Sequence, residues 1–133
     1  MIYLDSCLIM YLVEDPERCG ARLLEIMSMS EALSFAISPL VRLECLVKPF
    51  RNDDLVLQDK YRRAFDRFSN LVMTDVVYDE AAHLYAKHGL PTPDALHLAC
   101  ARYHGCARLW TNDRRFARAM PDYVVMLSEL ASA

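Results

Sequence analysis

Four acidic residues lie far apart in this sequence but at equivalent places in the elements that it predicts. Asp5 directly follows a predicted strand, and Asp113 follows another strand after two polar residues. Asp94 lies in the first turn of a predicted helix, and Glu44 lies one to two turns into a different helix. Ligand sites of parallel α/β sheets form beyond the carboxyl ends of the strands. We therefore expect these four carboxylates to converge on one rim of the sheet.

Converging carboxylates predict a site for a hard divalent cation. Carboxylates in close contact repel one another strongly unless they are protonated or neutralised. Oxygen ligands suit Mg²⁺ or Mn²⁺, whereas zinc favours histidine and cysteine. A site of this kind can bind a phosphodiester, lower the pKa of a water molecule and stabilise a leaving oxygen. It would also attract a polyanion that the bare acidic residues repel.

Each of these residues also has an ordinary structural interpretation. An aspartate in a first helical turn is favoured by the helix dipole, and an aspartate after a strand is common in turns. The convergence of four such residues is what favours a functional site. Four arginines near Asp113 are candidates for contacts with flanking phosphates, and a solvated helix face explains them equally well: Arg108, Arg114, Arg115 and Arg118.

The histidines and cysteines are predicted to be structural. His97 shares a helix face with Asp94, but it stands between two leucines and is expected to pack in the core. Three further histidines have no consistent partner spacing and are given no role: His83, His88 and His104. None of the five cysteines forms a CxxC pair, so no zinc or redox site is predicted. Cys7 and Cys100 are expected to be buried rather than nucleophilic.

Short apolar runs alternate with amphipathic segments along the whole chain. Such alternation predicts an α/β fold with a parallel sheet and helices on both of its faces. Ser6, Ser38 and Thr92 are predicted to cap helices, the last two being followed by proline. The predicted strands cover residues 1–4, 33–37, 71–74, 107–111 and 123–126. The predicted helices cover residues 6–16, 17–29, 38–48, 53–69, 78–88, 92–104 and 112–119, the third ending before Pro49.

Composition limits the class of protein. With 133 residues, 54% of them hydrophobic and 25% charged, the chain is expected to form one domain over residues 1–133 and not to be disordered. A formal net charge of −3 excludes a polycation, so nucleic acid would have to bind through a local basic patch or bound cations. Three glycines and no phosphate-binding motif disfavour a nucleotide-binding Rossmann domain. No signal segment or membrane span is evident, which predicts a cytoplasmic protein.

Four segments containing these acids resemble, in order, the motifs of PIN-domain nucleases. The size and motif order are most similar to the VapC-like toxins of bacterial and archaeal toxin–antitoxin pairs. The segments span nearly the whole chain, and it is their order and separation that make the signal strong. They are Tyr3-Leu4-Asp5-Ser6-Cys7-Leu8-Ile9, Ile37-Ser38 through Arg42-Leu43-Glu44, Pro93-Asp94-Ala95-Leu96-His97-Leu98-Ala99, and Leu109-Trp110-Thr111-Asn112-Asp113-Arg114-Arg115-Phe116.

The resemblance implies a three-layer α/β/α sandwich with a central parallel sheet of four to five strands, assembled as a homodimer. It also implies endonucleolytic cleavage of RNA that depends on Mg²⁺ or Mn²⁺. By motif, Asp5 and Asp94 are expected to be the most direct metal ligands, with Asp113 close and Glu44 acting through water. The polar residues beside these acids would orient them or the substrate, and these are Ser6, Thr111 and Asn112.

The resembled toxins bind an antitoxin protein, and the segment over residues 40–50 is a candidate surface for it. This segment is apolar on more than one side, so a buried core helix or a dimer surface would explain it as well. A non-catalytic PIN-like module that binds RNA or protein is the alternative function. A receiver-like phosphoacceptor domain is disfavoured, because Asp5 is followed by Ser6 and no lysine follows Lys87.

Overall fold

A computed structural model describes residues 1–30 and 34–128. Its strands are short and lie between helices, as the alternating pattern predicts. The strands are β1 (Ile2–Leu4), β2 (Phe35–Ile37), β3 (Ser69–Asn70), β4 (Arg108–Thr111) and β5 (Val124–Met126). The helices are α1 (Ser6–Glu14), α2 (Cys19–Met29), α3 (Pro39–Arg51), α4 (Leu55–Phe65), α5 (Asp75–His88), α6 (Thr92–Tyr103) and α7 (Arg114–Ala119).

The five strands form one parallel sheet in the order β3-β2-β1-β4-β5. All three residues of the central strand β1 are buried, as expected for a strand that is covered on both faces. Leu4 at its end lies opposite Trp110 of β4. The chain changes direction across the sheet between β1 and β4, which is where an α/β sheet opens a ligand site.

The helices form two groups that flank the sheet. Helices α1 to α4 pack against one another, and α5 and α6 form a second closely packed pair. One continuous core joins both groups to the sheet. The predicted α/β class with a central parallel sheet and the three-layer α/β/α arrangement are confirmed, with five strands.

Helix α1 begins one residue earlier than its predicted cap allows. Ser6 was expected to cap α1, but Asp5 is the cap, because its carboxylate accepts the Ser6 backbone N–H at 2.8 Å. Ser38 caps α3 as predicted and accepts the N–H of Val41. Thr92 does not cap α6; it is the first residue of that helix, and Pro91 before it contributes no side-chain hydrogen bond.

Several predicted element boundaries were wrong: α4 covers Leu55–Phe65 rather than 53–69, and α5 begins at Asp75 rather than at residue 78. In two other elements, tertiary contacts override the local preference. Helix α3 continues through Pro49 to Arg51, although proline lacks the N–H of the helical ladder. Packing of α4 holds this last turn, and the Gln58 amide donates to the Pro49 carbonyl at 3.3 Å. The third strand covers only Ser69–Asn70 rather than 71–74, and Leu71 is instead a buried core residue that donates to Ile37 at 2.9 Å.

Two other predictions concern the limits of the described part of the chain. The second strand was predicted to begin at residue 33, which lies outside the described residues, as does the C-terminal segment beyond residue 128.

The longest described helix, α5, has 14 residues, whereas a membrane span needs about 20. Within the described residues, no helix is long and apolar enough to cross a bilayer.

Candidate metal-dependent active site

Asp5 is positioned by the central strand, and its carboxylate accepts hydrogen bonds from a backbone N–H and from neighbouring side chains. It directly follows β1 and is almost fully buried. One carboxylate oxygen accepts the Ser6 N–H, and the Ser6 hydroxyl is 3.4 Å from the same oxygen. The other oxygen accepts the hydroxyl of Thr111, at the end of β4, at 2.6 Å. The neighbouring strand therefore orients Asp5, as the position of Thr111 beside β1 in the sheet allows.

Thr111 also connects Asp5 to the last of the four acids. Its hydroxyl oxygen accepts the backbone N–H of Asp113 at 3.0 Å. Asp113 caps the short helix α7 and accepts the N–H of Arg115. Asn112, predicted to orient the acids or the substrate, donates its amide to the hydroxyl of Tyr11 in α1 at 2.9 Å. Asn112 thus ties the loop after β4 to α1.

Glu44 of α3 and His97 of α6 meet directly above Asp5. The His97 Nε2 atom lies 2.5 Å from the Glu44 carboxylate and 3.7 Å from that of Asp5. On the other side of the ring, Nδ1 lies 2.6 Å from the hydroxyl of Tyr3, which is itself 2.7 Å from the hydroxyl of Ser38. Val41 donates its N–H to the Ser38 hydroxyl oxygen. A consistent assignment of the hydrogen bonds then has Ser38 donating to Tyr3, Tyr3 donating to Nδ1 of His97, and Nε2–H of His97 donating to Glu44.

His97 was predicted to be a packed core residue. It is buried as predicted, but it also contacts acids of the site. The side chain is 1% exposed, yet it holds one acid of the site and lies beside another. The sequence signal was its spacing of three residues from Asp94, which puts both on one face of α6. The partner on α3 could not be identified, because nothing in the local sequence predicts that α3 and α6 meet here.

Asp94 and Asp113 share a different partner, Arg115. The guanidinium holds Asp113 with two donors, Nη2 at 2.6 Å and Nε at 3.1 Å. The same Nε atom lies 3.5 Å from Oδ2 of Asp94, which is an ion-pair distance without a hydrogen bond. Oδ2 of Asp94 is buried and, among the described residues, has no hydrogen-bond partner. Arg115 therefore places a positive charge between two carboxylates of the site.

The surroundings of the acids shift their pKa values in opposite directions. Burial raises the pKa of Asp94 above its ordinary value, and the nearby Asp113 and Asp5 add to this, while Arg115 opposes it. The hydrogen bonds from Arg115 lower the pKa of Asp113. Burial alone would raise the pKa of Glu44, but the hydrogen bond from His97 lowers it below its ordinary value. Such divergent pKa values are typical of functional sites.

The donor set fits a hard divalent cation. Carboxylate oxygens of Asp5 and Glu44 and a ring nitrogen of His97 all lie within 4.8 Å of one another. Because this nitrogen donates to Glu44, the two carboxylates are the ligands that the group offers. Asp5 and Asp94 were expected to be the most direct ligands and Glu44 to act through water. Glu44 belongs to this group together with Asp5, and Asp94 lies outside it, with its Oδ2 atom 3.5 Å from Arg115. The buried Asp94 oxygen that lacks a hydrogen bond is the acceptor that a cation would satisfy.

The other arginines with predicted phosphate contacts do not share one location. Arg114 and Arg118 are exposed on α7, close to Asp113. Arg108 begins β4, at the opposite end of that strand from Thr111, and donates to the carbonyl of Ala107. At about 3.3 Å per residue, the strand separates Arg108 from the acidic edge by roughly 10 Å. The structure does not bring Arg108 to the site.

Cys7 lies beside the acids but does not have the properties of a nucleophile. Its sulfur is 3.6 Å from the Asp5 carboxylate. Burial, together with the charge of Asp5, raises the pKa of the Cys7 thiol to about 12. A thiol in this state is protonated at neutral pH and unreactive, in agreement with the expected packing role.

Comparison with known proteins identifies the family and the fold. The family model for the PIN domain matches residues 2–120. A toxin–antitoxin complex from Klebsiella pneumoniae is similar over 95% of this chain and 97% of that one, with a TM-score of 0.77 and 21% identity. VapBC2 from Rickettsia felis, bound to a DNA fragment from its promoter, gives 0.76 and 19%, over 95% and 98% of the chains.

A third similar structure is VapC20 from Mycobacterium tuberculosis, a toxin that cleaves the sarcin–ricin loop. It covers 90% of this chain and 95% of its own, with a TM-score of 0.73 and 15% identity. At these identities the likeness shows a shared fold. No curated protein sequence gives a significant match.

Proposed function

The chain belongs to the PIN domain family, and from this premise we propose that it is a metal-dependent endoribonuclease, the toxin of a toxin–antitoxin pair. The observation that carries the proposal is that the carboxylates of Asp5 and Glu44 lie close together, and that Asp94, which feels the charges of Asp5 and Asp113, keeps a buried oxygen without a hydrogen bond from any described residue. The catalytic unit would be one domain over residues 1–133, acting on RNA in the cytoplasm.

Asp5, Glu44, Asp94 and Asp113 would hold Mg²⁺ or Mn²⁺. Such a cation, when bound, supplies Lewis-acid chemistry that polarises a phosphodiester and lowers the pKa of a water molecule for in-line attack on phosphorus. Ser6 and Thr111 keep the Asp5 carboxylate in one orientation.

Two further residues of this chain have defined roles in the proposal. His97 donates to Glu44 and so keeps that carboxylate ionised and directed toward Asp5. Arg115 partly neutralises Asp94 and Asp113, which reduces the repulsion that an incoming phosphate meets. His97 is in this sense a positioning residue, because it acts through Glu44.

The relatives in fold support the choice of substrate and biological role. One is a toxin–antitoxin complex and one cleaves an RNA loop. These functions belong to those proteins, and they make RNA the first substrate to test here. Water as the nucleophile is favoured over a covalent cysteine intermediate, because burial raises the thiol pKa of both Cys7 and Cys45, the cysteines beside the acids.

The decisive test compares two aspartates in equivalent positions. Asp94 and Asp75 both lie in the first turn of a helix, but Asp75 is exposed and outside the site. We expect Asp94→Asn to abolish cleavage of total cellular RNA with Mn²⁺, and Asp75→Asn to leave it unchanged. EDTA should stop the wild-type reaction. Cleavage retained by Asp94→Asn or in EDTA contradicts the proposal, and a wild-type protein without any cleavage points to a non-catalytic binding module.

An antitoxin partner is proposed for the exposed face of α3. Val41, Cys45 and Leu46 of this helix are buried, whereas three apolar residues on its other side are exposed by 59%, 42% and 49%: Leu43, Val47 and Phe50. One side of α3 therefore packs in the core, and the other side is exposed. Exposed apolar residues at this spacing form a stripe that suits a partner helix or extended segment.

The antitoxin is expected to be the small DNA-binding protein of an adjoining reading frame. Val47→Asp with Phe50→Asp should abolish co-purification of that protein while leaving RNA cleavage intact. Val76→Asp on α5, where the residue is 56% exposed, is the control and should leave co-purification unchanged. Growth arrest on induction, relieved by the neighbour, tests the toxin role. A mass measurement by light scattering tests the proposed homodimer.

A further inference from the structure

A groove outside the acidic cluster runs along the border between α5, α6 and α7. It consists of two adjacent cavities of about 230 Å³ and 750 Å³, which share His88 and Ala119 in their linings. The smaller one lies at Pro91, Arg115 and Arg118, and the larger one at His83, Lys87 and Arg102. We refer to this feature, from Arg115 to Arg102, as the α5–α7 groove.

The groove carries cations that are not neutralised by the fold. Lys87 and Arg118 are exposed, and within residues 1–30 and 34–128 neither has an acidic group within ion-pair distance. Arg102 is paired with Glu80 at 3.1 Å, and Arg115 is paired with Asp113. The exposed Asp122 also lines the larger cavity, so the two unpaired cations exceed the unpaired acids of the described lining by one. Because the whole chain has a net charge of −3, this local excess of positive charge is what a polyanion would find attractive.

One end of the groove opens at the acidic cluster. Arg115 lines the smaller cavity and at the same time contacts Asp113 and lies 3.5 Å from Asp94. Pro91, in the same cavity wall, immediately precedes the helix whose first turn contains Asp94. A strand whose scissile phosphate is at the acids would thus have its next phosphates over Arg118, His88 and Lys87.

We propose that the α5–α7 groove binds the phosphate backbone of single-stranded RNA on one side of the cleaved bond. This inference rests on the proposed ribonuclease function, which it extends by a substrate path. The ligand chemistry is that of consecutive phosphodiesters, recognised by charge and therefore without base specificity. A concave groove suits a single strand, because a duplex would contact only its rim.

The test measures binding separately from cleavage. A fluorescein-labelled 12-nucleotide RNA of mixed sequence is titrated with the protein in Ca²⁺, which neutralises the acids, and a gel verifies that the RNA stays intact. The variant is Lys87→Ala with Arg118→Ala. The control is Lys60→Ala with Arg67→Ala, which removes two exposed cations from a cavity of about 300 Å³ between α1 and α4. Circular dichroism verifies that both variants remain folded.

The groove variant should bind at least tenfold more weakly than wild type. Its slope of log affinity against log salt should fall by about 1.4, since a single strand loses about 0.7 for each lost phosphate contact. The control should change affinity by less than twofold. Equal losses in the two variants would show a mere net-charge effect and overturn the proposal, as would unchanged affinity of the groove variant or no RNA binding by wild type.

Failure of the underlying function has a different signature. If wild-type protein cleaves no RNA with Mn²⁺ while its binding still depends on Lys87 and Arg118, the nuclease proposal fails and the groove is confirmed as an RNA site. If cleavage occurs and the RNA affinity is unchanged when these two residues are replaced, the nuclease proposal stands and the groove is excluded as an RNA-binding site.

Discussion

The carboxylates of the site differ in their neighbours, and this difference gives each its own protonation behaviour. Asp113 is held by two donors of a guanidinium, whereas Asp94 has a buried oxygen without any hydrogen bond. Arg115 lies between them but directs its donors to only one. At the scale of residues, Asp94 is therefore the acid whose buried oxygen lacks a hydrogen-bond partner among the described residues when no cation is bound.

Replacing Asp94 by asparagine is expected to stabilise the metal-free protein at neutral pH. The pKa of Asp94 is raised in the folded state above its ordinary value of 3.8. A raised carboxyl pKa contributes stability that is fully present below pH 3.8 and is lost as pH rises through the folded-state pKa. An asparagine side chain does not titrate, so the advantage of Asp94→Asn should be small at pH 3.5 and grow toward pH 7. Urea unfolding in EDTA at both pH values measures the difference in unfolding free energy between the variant and wild type. A stability advantage of the variant that shrinks with rising pH contradicts the prediction.

The hydroxyl of Tyr3 is expected to matter although it is remote from the substrate. Tyr3→Phe keeps the buried ring but removes the group that joins Ser38 to His97. Leaving buried polar partners unsatisfied costs about 1–3 kcal/mol of unfolding free energy. Cleavage should also fall, because His97 would hold Glu44 less firmly. Tyr85→Phe, at a residue that is 54% exposed, is the control for both measurements; a Tyr3 variant that behaves like it would show that the hydrogen-bonded chain has no role.

At the scale of elements, α1 and α2 approach each other so closely that one position admits only glycine. A Cβ at Gly20 would lie 2.6 Å from the carbonyl oxygen of Tyr11 and 2.9 Å from that of Asp15. These are backbone atoms and cannot rotate away. The turn between α1 and α2 thus depends on the absence of a side chain.

Gly20→Ala should therefore destabilise the protein by about 1–3 kcal/mol, the usual range for overpacking. Gly89→Ala is the comparison, since the helix end there has a φ of +67° but open space around it. Its loss should be about 1 kcal/mol, from backbone conformation alone. Thermal or urea unfolding gives both values. A Gly20→Ala variant as stable as wild type would mean that α1 and α2 can move apart without any loss of unfolding free energy.

The elements also show which parts of the site the sequence could and could not predict. The acids Asp5, Glu44, Asp94 and Asp113 follow from strand ends and helix starts, because local pattern is enough to place them on one edge. The roles of Tyr3, His97 and Arg115 depend on which helices cross, and no local signal encodes this. Pro49 shows the same limit for the fold, since packing by α4 overrides its tendency to end a helix.

At the scale of the whole molecule, an acidic cluster in a chain of net charge −3 makes stability depend on cations. Binding to the folded state alone stabilises a protein by about 2.7 kcal/mol when the ligand is at 100 times its Kd. We expect Mn²⁺ to raise the melting temperature of the wild-type protein and to leave that of Asp5→Asn nearly unchanged. Differential scanning fluorimetry with Mn²⁺ and with EDTA measures this. Equal shifts in both proteins would place the binding cation elsewhere.

The place of β1 in the sheet has a consequence for synthesis of the chain. β1 is made before the other described strands, yet its partner β4 and the Thr111 hydroxyl that fixes Asp5 come more than a hundred residues later. Asp113 and Arg115 come later still. The chain must therefore be synthesised past Arg115 before the centre can assemble, so products that terminate earlier would lack part of the site.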